Sequence, residues 1–368
     1  MGVPRGGRIV VVGGGPAAAA AAVALREIGH DGGLVIVGGE PRPPYSRPPL
    51  SKAFLSGGVE AGDLALGVAD AELRTGVRAI RVDLDERRVH LADGERLPYD
   101  GLVLATGTRA RRPRDPSVEV VSTIADAERV SARMARARSA LVVGSGFLAY
   151  ELASATHARG IETTLVIRPG ALAARWGMLA DVLTDRVRTA GIRLVESPGG
   201  AFGDGTAITA DGRRWEADLV LAAIGAEPDV IAPEYAATGY LTDDRCRLRR
   251  TVVAAGDAAT VRSPGGARRD RTWTNALAQG AAAARSLLDD DAPPYAPVPY
   301  AWTEACGTEV KIAGAPPLGV APAVIDGDLS EGRALLQWPG GAAAVGYRIP
   351  VARLKTLAAA PAPATLEG

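Results

Sequence analysis

Two glycine turns in this chain are spaced to hold the phosphates of dinucleotides. The first, Gly13-Gly14-Gly15-Pro16-Ala17-Ala18, follows the β-branched run Arg8-Ile9-Val10-Val11-Val12. Gly13 permits the tight turn, and Gly15 has no Cβ to keep the backbone from a pyrophosphate. Pro16 and Ala17 lead into a helix whose positive end faces that anion. Glu40 stands after the next apolar run, where a carboxylate accepts hydrogen bonds from an adenine ribose. The second turn, Gly144-Ser145-Gly146-Phe147-Leu148-Ala149, repeats the pattern, so the chain calls for two dinucleotides. Beyond it the chain reads Val166-Ile167-Arg168-Pro169-Gly170, with Arg175 following and no acid nearby. A carboxylate there repels a 2′-phosphate, whereas an arginine forks around it. Opposite unit charges about 4 Å apart at an effective dielectric near 20 attract by roughly 4 kcal/mol. Heavily discounted for solvent, that still favours NADPH over NADH by about tenfold. Cys246 and Cys306 form no close pair, and His30, His90 and His157 lack ligand spacing, so no disulfide framework or metal site is expected.

These turns need buried parallel strands to present them. Helix formers run over Ala17–Ile28 and stop at Gly29, and Leu34–Val37 reads as the second strand. Val77–Leu97 alternates as a β-meander with Asp93-Gly94 as a hairpin turn, and Tyr99–Gly107 is a buried strand ending in small residues. Ser139–Arg168 duplicates the opening unit: strand Ala140–Val143, helix Tyr150–Arg159, strand Thr163–Ile167. A helix is predicted over Thr274–Leu288, then a linker Asp289–Pro294, then strands Val310–Ala313, Arg333–Gln337 and Ala343–Tyr347. A chain of 368 residues implies two or three domains. Lys plus Arg balances Asp plus Glu at 42 each, which gives no support for a nucleic-acid or membrane-surface protein. No apolar run reaches the roughly 20 residues of a membrane helix. A cytoplasmic chain is expected, with residues 1–7 and the tail from Ala358 disordered.

The loop Pro44-Tyr45-Ser46-Arg47-Pro48-Pro49-Leu50-Ser51-Lys52 follows the first unit on a stiff, proline-set path. In that position it resembles the ferredoxin reductases that serve oxygenases and cytochromes P450, the putidaredoxin reductase type, and the flavoprotein apoptosis-inducing factor. The resemblance covers residues 8 to about 355. It implies an α/β fold of two Rossmann-like dinucleotide-binding domains, in the glutathione reductase-like arrangement, plus a small α/β C-terminal domain. FAD would take residues 1–113 and 232–294, the nicotinamide nucleotide 114–231, and an interface domain with a disordered tail 295–368. By position, Lys52 approaches the reactive edge of the flavin, with Arg47 and Pro49 near the cofactor. Val77, Ala105, Thr106, Gly107 and Arg109 face its adenine half. Glu151 matches the acid that pairs with the loop lysine; a buried carboxylate without a partner is costly, so the two should be found together. Gly225 borders the nicotinamide, Gly256 lets the N-terminus of a following helix approach the pyrophosphate, Asp257 accepts from the ribityl chain, and Trp302 lies near the flavin ring. The chain departs from the family pattern at Arg271 and at Thr303-Glu304.

The resemblance also implies the reaction: electrons pass from NADPH, or less favourably NADH, through FAD to a ferredoxin-type iron–sulfur protein. Lys52 favours negative charge on the reduced flavin and Glu151 holds it. The loop at residues 41–52 has no cysteine and no His-Pro pair ends the chain, which argues against disulfide reductases and single-cysteine oxidases. Arg-rich stretches at 109–114, 245–250 and 262–271 could dock an acidic ferredoxin, with the protein a monomer or homodimer. Two alternatives are direct reduction of a small organic substrate and a redox-responsive binding module. Steady-state kinetics test the nucleotide reading: kcat/KM is expected to be at least tenfold higher for NADPH than for NADH, and an equal or reversed ratio overturns it.

Overall fold

The computed structural model describes residues 3–235, 239–263 and 266–362. The run Ile9–Val12 lies inside a six-stranded sheet with spatial order Arg247–Arg249, Val252–Ala254, Gly101–Leu104, Ile9–Val12, Leu34–Gly38, Glu72–Thr75. Its neighbours are parallel except at the edge strand Arg247–Arg249. The continuous apolar runs follow from burial on both faces. Ile9, Val11, Leu34, Ile36 and Val103 pack against the helices Pro16–Glu27 and Trp273–Leu288. Val10, Val12, Val35, Val37, Leu102 and Leu104 pack against the antiparallel meander Ala79–Asp83, Arg88–Leu91, Arg96–Pro98. The two helices touch so closely that a Cβ on Gly280 would lie 2.3 Å from the Ala17 carbonyl oxygen.

The chain divides into two compact units, and this sheet belongs to the first, which comprises Met1–Ser46, Gly62–Arg109 and Glu227–Pro297. The second comprises Arg47–Ala61, Ala110–Ala226 and Val298–Gly368. It holds a four-stranded parallel sheet in the order Arg193–Glu196, Glu162–Ile167, Ser139–Val143, Leu219–Ala222, with the helix Phe147–Ala158 in its crossover. It also holds a five-stranded antiparallel sheet, Tyr300–Ala305, Thr308–Gly314, Gly341–Val345, Arg333–Trp338, Ala323–Asp328, against which the helix Val351–Ala359 packs Leu354 and Ala358.

Two expectations need correction. Residues near both termini are ordered where apolar side chains find cover: Val3 is buried, the Arg5 carbonyl accepts from Asp31 N, and Ala358 is buried on the sheet-facing side of the last helix. Residues 1–2 and 363–368 lie outside the described residues. The segment after Gly256-Asp257 is not a helix; it turns into the strand Ala259–Ser263, and the helix at Trp273 is capped by Thr272. Asp257 is therefore no helix cap. No helix among the described residues is long and apolar enough to cross a membrane.

Gly280→Ala is expected to wedge the two helices apart, an overpacking cost of about 1–3 kcal/mol that lowers the thermal midpoint by a few degrees. Gly62→Ala, whose Cβ meets nothing within 4 Å, leaves it unchanged in the same calorimetric scan.

Candidate cofactor cradles and the Lys52 cluster

Both glycine turns are built alike. At Gly13 the backbone has φ +135°, and an added Cβ would stand 2.0 Å from the Ala105 carbonyl oxygen of the neighbouring strand end. At Gly144 φ is +157°, and the Cβ would stand 2.3 Å from the Ala223 carbonyl oxygen. The first glycine of each turn is thus required by a carbonyl, whatever binds above it. The glycine two residues on is different: a Cβ at Gly15 or Gly146 meets nothing within 4 Å. Each is the N-cap of a helix with no side-chain cap and no acid in its first turn. Open space before an uncapped helix N-terminus is what a pyrophosphate needs, so both turns fit a dinucleotide.

In the first unit, Gly13, Ala17, Ala105 and Gly256 meet at the carboxyl ends of the strands; a Cβ on Gly256 would lie 3.0 Å from the Ala17 Cβ. Pro16 opens the helix, and Gly256 N donates to Gln279 Oε1 at 3.0 Å. Asp257 is half-buried in the turn that follows. Glu40 accepts from Tyr45 Oη at 2.6 Å, and its carbonyl accepts from Gly76 N beside Val77. Thr106 and Gly107 form the turn after Ala105, with the Gly107 carbonyl accepting from Asp229 N at 3.0 Å. Arg109, largely exposed, reaches Asp229 at 3.1 Å.

In the second unit, Ser145 Oγ accepts from Arg168 N at 2.7 Å, which sets Arg168 against the glycine turn with its side chain exposed. Phe147, ahead of Leu148 in the helix, stacks on Trp176 at 5.0 Å between centroids, and the Arg175 guanidinium lies 5.0 Å from the Trp176 ring. Gly225 has φ +99° and its carbonyl accepts from Arg111 N. The sheet register sets Glu196 beside Ile167, so an acid does stand next to the Arg168 strand end, from a strand remote in sequence.

Lys52 and Glu151 meet at 2.7 Å, with side chains 13 % and 7 % exposed. The short helix Pro48–Ser51, opened by two prolines including Pro49, delivers Lys52; Arg47 precedes it and donates to the Ser122 carbonyl at 2.6 Å. Lys52 Nζ also reaches the Pro48 carbonyl at 3.3 Å and lies 4.6 Å from the Trp302 ring centre. Ser51 and Thr303 donate to the same Glu151 carboxylate. An ion pair this buried is costly to break from one side, by about 3–5 kcal/mol, because the remaining charge is left without compensation.

Several of these contacts carry no local sequence signal. Thr303 is 152 residues from Glu151, and Trp176 is an ordinary residue of its segment until the chain folds. Many arginines of the basic stretches already hold partners: Arg112 pairs with Asp126, Arg249 with Asp85, Arg250 with Asp290 and Arg268 with Asp270. Arg247 donates to the Ser286 and Asp289 carbonyls. Burial pushes the Cys246 thiol up to about 12 and the Cys306 thiol upward, so neither is a ready thiolate.

A family model described as pyridine nucleotide-disulphide oxidoreductase matches residues 7–280, and the chain belongs to that family. It is 34% identical over 322 residues to the anthranilate 1,2-dioxygenase system ferredoxin–NAD(+) reductase component of Burkholderia cepacia, covering 80% of this chain and 78% of that one. The crystal structure of the ferredoxin reductase for the CYP199A2 system from Rhodopseudomonas palustris aligns with TM-score 0.84 and 27% identity, over 92% of this chain and 91% of that chain. The covalent putidaredoxin reductase–putidaredoxin complex aligns with TM-score 0.83 and 25% identity, over 92% and 89%.

Gly15→Val separates binding from folding at the first cradle. Its backbone, φ −111° and ψ −173°, suits a β-branched residue. The variant is expected to lower the cofactor-free melting temperature by only a few degrees, the cost of an apolar N-cap, while flavin retention, read as visible absorbance per protein, falls at least tenfold.

Proposed function

We propose that this protein is an FAD-dependent reductase that takes electrons from a reduced nicotinamide nucleotide and passes them to a ferredoxin-type iron–sulfur protein. The observation that carries this reading is the paired Lys52 and Glu151 beside Trp302, in a chain with two open glycine cradles and no reactive thiol among the described residues. FAD belongs to residues 1–113 and 232–294, the nicotinamide nucleotide to 114–231, and residues 295–368 bring Trp302. Bound flavin supplies the step between two-electron and one-electron chemistry. The chain's residues align and bias it: the glycine turns hold phosphates, Glu40 and Asp257 hold ribose and ribityl hydroxyls, and Lys52 presents a positive charge. The names of the relatives, reductase components of dioxygenase systems and putidaredoxin reductase, support an iron–sulfur acceptor. A cytoplasmic location and a monomeric or homodimeric state belong to the same proposal.

On the donor, Arg168 and Arg175 support NADPH. A second reading, NADH, is favoured by Glu196 in register beside that strand end and by the NAD(+) in the relative's name. A carboxylate at that strand end narrows any preference for a 2′-phosphate.

The acceptor is tested by anaerobic titration of the purified holoprotein. Reduced nucleotide is expected to bleach the flavin absorbance, and an added ferredoxin to restore it faster than air does. Reoxidation by oxygen that outpaces every ferredoxin supplied overturns the acceptor, and a protein that stays colourless after reconstitution overturns the flavin.

A further inference from the structure

Glu151 holds more partners than an ion pair to Lys52 requires. Its Oε1 receives Lys52 Nζ and Thr303 Oγ1, each at 2.7 Å, and its Oε2 receives Ser51 Oγ at 2.5 Å. Thr303 is fully buried and Ser51 nearly so. The torsion that turns a glutamate carboxylate is broad, so a single flexible lysine does not fix its plane. Donors on both oxygens do. Ser51 adjoins Lys52 in the loop, while Thr303 adjoins Trp302 on the strand Tyr300–Ala305, so the lysine that bears the ammonium and the indole beside it each bring a hydroxyl neighbour to its counter-charge. The threonine at 303, a departure from the family pattern by sequence, is stiff at its first torsion and therefore suited to hold one donor direction.

We propose that Ser51 and Thr303 are positioning residues: their hydroxyls lock the Glu151 carboxylate, which in turn holds the Lys52 ammonium at one point between the Pro48 carbonyl and the Trp302 ring. This rests on the reading of Lys52 as the group that faces the flavin. Each hydroxyl acts through Glu151. Their removal lets the carboxylate and the ammonium turn together, and a charge that wanders stabilises the electron-rich ring less than a fixed one.

The test uses the FAD-loaded full chain. Thr303→Val, Thr303→Ser and Ser51→Ala are made with Lys52 intact and in a Lys52→Met background. Flavin reduction by the nucleotide is followed by stopped-flow absorbance, and the midpoint potential of the bound flavin by dye equilibration. With Lys52 present, Thr303→Val and Ser51→Ala are expected to slow reduction roughly three- to tenfold, the size of one net hydrogen bond. Both should lower the potential and leave nucleotide affinity unchanged, while Thr303→Ser restores wild-type values. In the Lys52→Met background the same substitutions should move neither quantity. Equal effects in both backgrounds mark a merely structural role and overturn the proposal, as does an unchanged potential. Should Thr303→Val fail to fold, Ser51→Ala decides it by the same comparison. A yellow protein whose substitutions are additive sinks only this inference; one that reduces no ferredoxin sinks the proposed acceptor and leaves the comparison standing.

Discussion

Backbone meets backbone at the carboxyl ends of both parallel sheets, and that contact sets up everything else. The carbonyls of Ala105 and Ala223 press so close to Gly13 and Gly144 that no side chain fits between. The turn can then fold tightly over the strand ends, and the next helix starts with its N–H groups aimed outward. Because Gly15 and Gly146 face open space and no side chain caps either helix, the positive ends of both helices stay available to phosphate. The same constraint, met twice in one chain, distinguishes a pair of nucleotide cradles from ordinary strand-to-helix connections.

The cluster around Glu151 answers a different physical demand. A carboxylate and an ammonium removed from water lose hydration that their mutual attraction alone does not reliably repay. Here the remaining valences are filled by two hydroxyls, a carbonyl and an indole face. A fully connected polar group of this kind is rigid as well as tolerable.

Surface electrostatics contribute less than the arginine content suggests. The formal charges balance, and the arginines of the basic stretches are largely engaged with nearby carboxylates and carbonyls. Exposed pairs of this kind add little stability each. With both thiols poorly ionised, the described residues offer no sulfur chemistry to compete with flavin chemistry.

Much was legible in the sequence because it is a local property. A β-branched run, a glycine turn and a helix former run specify a βαβ unit within about 30 residues, and both units lie where the pattern predicts, within a residue or two at most ends. The helix Phe147–Ala158 starts three residues earlier than expected, inside the turn itself. Folding alone decided what joins distant segments. Register brought Glu196 to the Arg168 strand end, where no neighbour in sequence is acidic. Packing ordered Val3 and Ala358, which composition assigns to loose ends. The partners of Glu151 come from a loop a hundred residues before it and a strand 152 residues after it. Motifs record which backbone shapes a chain can adopt nearby; only the closed core decides which hydroxyl a buried carboxylate will find.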